Sequence, residues 1–179
     1  MSPLAYSVRY AKAAEAPALH TLIEAHRVEG HLLPRTLKEL ETHADRFIVI
    51  EDAGRIIACA ELMKLSSQVA EVRSLVVDRE HRGGGVAAEL MSSLVDAARD
   101  AGYLSLCAFT HSPAFFVKQG FSIVPHTWLP EKIQANCTSC AFFRRCEQYA
   151  MLLPLDLMAG ALRPAQTAKP AARFSKTAA

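Results

Sequence analysis

The sequence predicts an α/β (α+β) fold, a mixed and mostly antiparallel central sheet flanked by helices. Three observations carry this. Two helical stripes come first, three Ile/Val-rich runs follow, and a run of glycines then opens the most amphipathic stretch of the chain. Hairpin-joined strands precede a strand–loop–helix unit, so the sheet should be mixed.

Taken in order, residues 17–29 carry Leu19, Leu22, Ile23 and His26 at the spacing of one helical face. After Gly30, Pro34 suits a first helical turn, and Leu33, Leu37, Leu40 and Ala44 make a second stripe. RFIVIE, RIIACAELMKL and VAEVRSLVVD read as strands, the first two joined by the turn Asp52-Ala53-Gly54. Residues 86–101 form the strongest helix, with Val86, Leu90, Met91, Leu94, Val95 and Ala98 on one face and Gly102 as its stop. LSLCAFT (104–110) reads as a strand and SPAFFVKQG (112–120) as a short helix ended by Gly120. FSIVPHTW and YAMLLPLD read as two further strands, separated by a cysteine-bearing insert at 130–148. Residues 1–158 are expected to form one domain. Residues 159–179, rich in Ala, Pro and Lys, read as a disordered basic tail.

Composition narrows the function classes. The chain has 179 residues, 51% hydrophobic and 21% charged, with a net charge of +2, a balance that points to neither nucleic acid nor a strongly acidic partner. The first 17 residues hold no apolar run long enough for a signal peptide, and no stretch suits a membrane span. The expected compartment is the cytoplasm, where the five cysteines should be reduced. The expected partner is a small molecule, with no nucleic acid and no membrane, and a homodimer left open.

The glycines of REHRGGGVAAEL (79–90) decide more. Gly83, Gly85 and Ala88 satisfy the dinucleotide pattern G-x-G-x-x-A formally, but that pattern wants a carboxylate ending the next strand. Here the strand ends in Phe109-Thr110-His111. No Gly-Lys-Ser/Thr follows the loop, so a Walker A loop is excluded. What remains is R-x-x-G-x-A, with Arg82, Gly83, Gly84, Gly85, Val86 and Ala87 between a strand and a helix. Successive N–H groups and a helix N-terminus suit a pyrophosphate, and a side chain at Gly83 or Gly85 would hold the anion away.

This loop, with FFVKQGF (115–121) downstream, resembles the pyrophosphate loop of the GNAT acetyltransferases. IVIEDAGRIIACAEL, AEVRSLVVD and FTHSPAFFVKQGFSIVPHTWLPEKI extend the likeness over roughly residues 8–155, and together are similar to the acetyltransferase domain of the N-acetylglutamate synthases. The resemblance implies the GNAT fold, acetyl-CoA as donor, and transfer of acetyl to the α-amine of L-glutamate, the first step of arginine biosynthesis. Many GNAT enzymes carry a Tyr where this chain has Phe116, and the synthases similarly carry Phe. A thiol of pKa about 8.5 leaves as thiolate with little need of an acid. The arginine-binding, kinase-like domain of longer synthases has no counterpart here, which implies that inhibition by that route is absent. The alternative readings are a GNAT enzyme for another small amine or amino acid, and a non-catalytic acyl-CoA-binding or metal-sensing module.

The reaction then assigns candidates. The resemblance implies a backbone N–H near Leu75, Val76 and Val77 at the thioester carbonyl, with Phe116 beside the cofactor. Glu71 and Glu61 are candidate bases, acting through water, or ordinary strand carboxylates. A substrate with two carboxylates wants cations. Arg35 lies at the start of the second helix, where the macrodipole disfavours a cation, so a ligand role is favoured. Thr110, His111 and Ser112 match the family's second substrate-contact segment, and Ser112 is also a catalytic candidate. Some members have Arg where His111 stands. Lys64 and Arg73 could supply further positive charge, or be solvated strand residues. In the insert, Cys137, Cys140 and Cys146 make C-x2-C-x5-C, the start of a zinc knuckle, three packed thiols, or a redox pair. His126 and Glu147 are candidate fourth ligands. Cys59 and Cys107 lie in apolar strands and should be core.

Overall fold

A computed structural model describes residues 6–29 and 32–155. The expected tail at 159–179 lies outside the described residues. Among the described residues, seven strands form one sheet in the order β1-β2-β3-β4-β5-β7-β6. They are β1 Ser7–Tyr10, β2 Phe47–Asp52, β3 Arg55–Lys64, β4 Val69–Val77, β5 Ser105–Thr110, β6 Ser122–Val124 and β7 Tyr149–Pro154. The helices are α1 Ala16–Arg27, α2 Leu37–His43, α3 Val86–Asp100, α4 Pro113–Lys118 and α5 Pro130–Lys132, which runs into a wide turn over Ile133–Cys137. The sheet is antiparallel except where β5 lies parallel to β4 after the α3 crossover.

Both faces of the sheet are covered. The face under α3 holds Leu90, Met91 and Leu94 against Ile48, Ile50, Ala58, Ala70, Val72 and Leu106. The other face holds Leu19 and Ile23 of α1 and Leu40 of α2 against Phe47, Val49, Cys59 and Val76. The β2 residues Ile48 and Ile50 thus face one layer and Phe47 and Val49 the other, as period 2 requires. Cys59 and Cys107 are fully buried, as expected of strand cysteines.

Three elements differ from expectation. β1, a strand of four residues too short to stand out in the sequence, pairs with the outer edge of β2. FSIVPHTW is a strand only over Ser122–Val124, because Pro125 ends the ladder and His126–Trp128 form a tight turn. The second helix starts at Leu37, capped by Thr36, whose Oγ1 accepts from the N–H of Glu39 at 3.2 Å. Pro34 and Arg35 therefore precede the helix instead of opening it.

One irregularity shapes the site. Between the pairs Cys59↔Val76 and Glu61↔Arg73 the register shifts by one residue, so β4 carries a bulge at Ser74–Leu75. Ser74 there adopts φ 50°, a left-handed conformation rare for a residue with a side chain. The bulge flips the alternation: Ala70 and Val72 face α3 before it, and Leu75 and Val77 face α3 after it.

At the β2–β3 hairpin, Ala53 (φ 46°) and Gly54 (φ 81°) are both left-handed, as the tight two-residue turn demands. Alanine is a poor fit there. Ala53→Asn should raise stability by about 0.5–1 kcal/mol, read as a higher denaturation midpoint with unchanged slope.

Candidate active site

β4 and β5 pair from Val69↔Ser105 to Val72↔Ala108, and beyond these residues the two strands part. The opening is a cleft of about 290 Å³, lined by Arg73, Ser74 and Leu75 from β4 and by Phe109 and Thr110 from β5. Ser112, Phe115, Phe116, Leu32, Leu33, Arg35 and Lys132 also line it. The bulge places Ser74 and Leu75 on the wall where the strands separate. Phe116 sits edge-on to Phe115 and Phe121, each at a centroid distance of 5.3 Å, and is held by this cluster as it reaches the cleft.

The two candidate bases stand in different surroundings. Glu61 is 1% exposed and receives the Arg35 guanidinium at 2.6 Å, with Arg73 Nε at 3.9 Å. It does not line the cleft. Glu71 is 3% exposed and does line it. Its Oε1 accepts from Lys132 Nζ at 2.6 Å, while Oε2 is buried with no hydrogen-bond partner among the described residues. One carboxylate is therefore tied up by arginines behind the wall. The other lines the cleft and keeps one acceptor oxygen without a partner among the described residues.

Arg35 is 4% exposed and lies over the Phe47 ring at 5.8 Å, with Glu39 as a second partner at 3.3 Å. Its Nε has no acceptor. Thr110 and Ser112 reach the cleft, where Thr110 Oγ1 accepts from the Ser112 N–H at 2.9 Å. His111 is exposed and is not among the lining residues. Lys64, at the far end of β3, is also exposed and away from the cleft. Sequence reasoning missed Lys132. It stands in the insert, more than 60 positions from Glu71, and an isolated lysine after Leu-Pro-Glu gives no local signal.

The glycine loop leads into α3, a helix of 15 residues whose first-turn N–H groups have no helical acceptor. Gly83 (φ 81°) and Gly85 (φ 88°, the residue before the helix) are left-handed, which glycine alone adopts without strain. Arg82, the cation of the motif, already has partners. Arg82 donates from both terminal nitrogens to Glu29 at 3.0 and 3.1 Å, and from Nε to the carbonyl of Val77 at 3.0 Å. It buckles the loop to the end of β4 and to the chain just after α1. Arg82, with Arg79 beside it, lowers the Glu29 carboxyl to about 2, so the latch stays charged through the physiological range.

The insert does not assemble a metal cage. Among the described residues no group of three His, Cys, Asp or Glu side chains could hold an ion. Cys137 and Cys140 share one turn, closed by the Cys140 N–H on the Cys137 carbonyl at 3.0 Å. Cys146 Sγ lies 3.9 Å from His126 Nε2. Burial pushes the Cys137 thiol up, and pushes Cys59 further, to about 12.

Residues 15–121 match the sequence pattern of the Acetyltransferase (GNAT) family. The chain belongs to the GNAT acetyltransferase family. The acetyltransferase is 28% identical over 148 residues to an uncharacterized N-acetyltransferase of Chlorobaculum tepidum, covering 83% of this chain and 96% of that protein. It is 30% identical over 127 residues to an amino-acid acetyltransferase of Neisseria meningitidis, covering 70% of this chain and 29% of the relative. To an amino-acid acetyltransferase of Pseudomonas putida it is 34% identical over 117 residues, covering 64% of this chain and 27% of the relative. The chain thus spans less than a third of these longer relatives. The structure of N-acetylglutamate synthase from Neisseria gonorrhoeae, complexed with coenzyme A and N-acetyl-glutamate, aligns with a TM-score of 0.76 at 25% identity, covering 84% of this chain and 35% of that one. A Mycobacterium tuberculosis protein solved with CoA aligns with a TM-score of 0.71 at 22% identity, covering 83% and 98%, and shares the fold. Family and relatives together make the chain an acetyl-CoA-dependent N-acetyltransferase. Among the described residues no helix is long and apolar enough to cross a membrane.

The loop geometry carries a test. A Cβ at Gly85 meets no atom within 4 Å, so the cost of Gly85→Ala is conformational, about 1–2 kcal/mol. The variant should fold with a lowered thermal midpoint and bind CoA at least about tenfold more weakly by calorimetry.

Proposed function

We propose that the acetyltransferase transfers acetyl from acetyl-CoA to the α-amine of L-glutamate, forming N-acetylglutamate, the opening step of arginine biosynthesis in the cytoplasm. The observation that carries this reading is the charge of the cleft: Arg35, Arg73 and Lys132 line it beside one carboxylate, Glu71, whose Oε2 is unpartnered. An acidic amino acid brings an ammonium for the carboxylate and two carboxylates for the cations. The amino-acid acetyltransferase relatives support the same class of acceptor.

In this reading the pyrophosphate of CoA lies on the N–H groups of Gly83–Ala87, and its thioester reaches the gap between β4 and β5. Glu71, in preference to Glu61, takes the proton of the acceptor's ammonium, directly or through water. The freed amine attacks the thioester carbon, a C–N bond forms, and the oxyanion meets a backbone N–H of the Leu75–Val77 segment. The C–S bond then breaks, the thiolate leaves past Phe116, which offers no proton, and the nitrogen sheds its second proton to solvent to give the amide. Arg35 holds a substrate carboxylate through its open Nε side, and Thr110 and Ser112 border the acceptor. Holding both reactants in one narrow gap supplies a large share of the rate.

Thiol release from acetyl-CoA across a panel of amino acids and amines tests the proposal. Glutamate-dependent release is expected. Release only with another amine replaces the acceptor, and CoA binding with no release with any amine makes the chain a binding module. Glu71→Gln should lower kcat by about 10²–10⁴-fold with CoA affinity kept. Arg35→Gln should raise the glutamate KM by about tenfold or more, and an unchanged KM sinks its assigned role.

Zinc at the cysteine turn is a separate proposal. It needs Cys137, Cys140 and Cys146 drawn to one point, with His126 already beside Cys146 as the fourth ligand. Metal analysis of protein purified without chelator should then find about one equivalent, and less than about 0.2 excludes a tightly bound structural ion.

A further inference from the structure

A lysine 9% exposed inside a cleft is costly unless something uses its charge. Lys132 meets Glu71 Oε1 at 2.6 Å and Asn136 Oδ1 at 3.3 Å, and its ammonium stands 5.2 Å from the Phe109 ring centroid. An ammonium has three donors, and among the described residues two have oxygen acceptors. Glu71 is the mirror case, with one oxygen taken and Oε2 buried without a partner among the described residues. Both residues line the cleft where β4 and β5 part. A fixed anion–cation couple with one free acceptor on the anion and one free donor on the cation is complementary to an amino-acid zwitterion. The acceptor's ammonium fits Glu71 Oε2, and its α-carboxylate fits the remaining Lys132 donor.

We propose that the Glu71–Lys132 couple reads the α-amino and α-carboxylate groups of the acceptor together, and that Lys132 is the residue restricting the enzyme to α-amino acids over plain amines. Arg35, reached from another wall, is then left for the side-chain carboxylate. The insert thereby contributes to specificity, because α5 and the turn after it carry both Lys132 and Asn136.

The inference rests on the amino-acid reading of the cleft and is tested with two ligands that differ by one group. These are L-glutamate and 4-aminobutyrate, which is glutamate without its α-carboxylate, each followed as substrate or as competing ligand. Wild-type enzyme should prefer glutamate strongly. Lys132→Met should lower kcat/KM for glutamate by about 30–100-fold, mostly through KM, and affect 4-aminobutyrate far less, so the preference ratio falls at least about tenfold. Lys132→Arg should recover part of the ratio. CoA affinity and the thermal midpoint show whether each variant is folded, and Lys132→Gln, which keeps a polar end against Glu71, replaces the Met variant if that one is not. Equal losses for both ligands would mean that Lys132 merely positions Glu71, and would overturn the proposal. If another amino acid replaces glutamate as acceptor, the pair compared is that amino acid and its own decarboxylated amine, so failure of the glutamate reading shows separately. Wild-type turnover of simple amines alone overturns both.

Discussion

Parallel strands in a sheet normally keep their ladder, since each N–H and C=O left without a partner costs free energy. β4 and β5 abandon theirs after four residue pairs, and the remainder of the site follows from that break. The bulge at Ser74 is where β4 turns away: one extra residue against β3 bends the strand and reverses which side chains face α3. β3 and β2 keep pairing beneath it and α3 packs across β2, β3 and β4, so the divergence is held rigidly open. A gap between rigid strands, walled by backbone whose groups are not committed to a neighbouring strand, suits a reaction whose transition state develops an oxyanion.

Buried charge in such a gap must be paired, and the pairing separates otherwise similar residues. Glu61 and Glu71 are both glutamates on central strands, both nearly inaccessible. Glu61 is enclosed by Arg35 and Arg73, so its charge orients the guanidinium that faces the cleft. Glu71 has one partner and an open oxygen. The first arrangement fixes a cation and the second leaves an acceptor available.

How far the sequence revealed this depends on whether the signal was local. The glycine loop, the α3 stripe and the β2–β3 turn were legible because each is written in consecutive residues with a strong conformational demand. The central strands were legible for the same reason, being Ile- and Val-rich. β1 escaped because SVRY is short and lies at the sheet edge, where one polar face is normal. Ser74 escaped because a bulge is a mismatch between two strands, and no single strand records it. Lys132 escaped since its meaning lies wholly in Glu71, Asn136 and Phe109. His111 and Lys64 show the converse. Their residue types suited a carboxylate ligand, but His111 lies just past β5 and Lys64 ends β3, and both are exposed and outside the cleft lining.

The glycine loop itself is bound more by geometry than by charge. Arg82 brings the loop's cation, and both of its terminal nitrogens meet Glu29 and its Nε the Val77 carbonyl. An arginine held in this way contributes little net field at the loop, because the carboxylate beside it cancels most of its charge at a distance. What is left to attract a pyrophosphate is the set of free N–H groups at the start of α3, presented by left-handed glycines that carry no side chain. Arg82 nevertheless governs that set, since it ties the loop to the last residue of β4, the strand whose other end bears Glu71. On the proposed reading, the segment that would bind the donor and the segment that would bind the acceptor are two ends of one strand, and the nine residues from Val69 to Val77 set the distance between them.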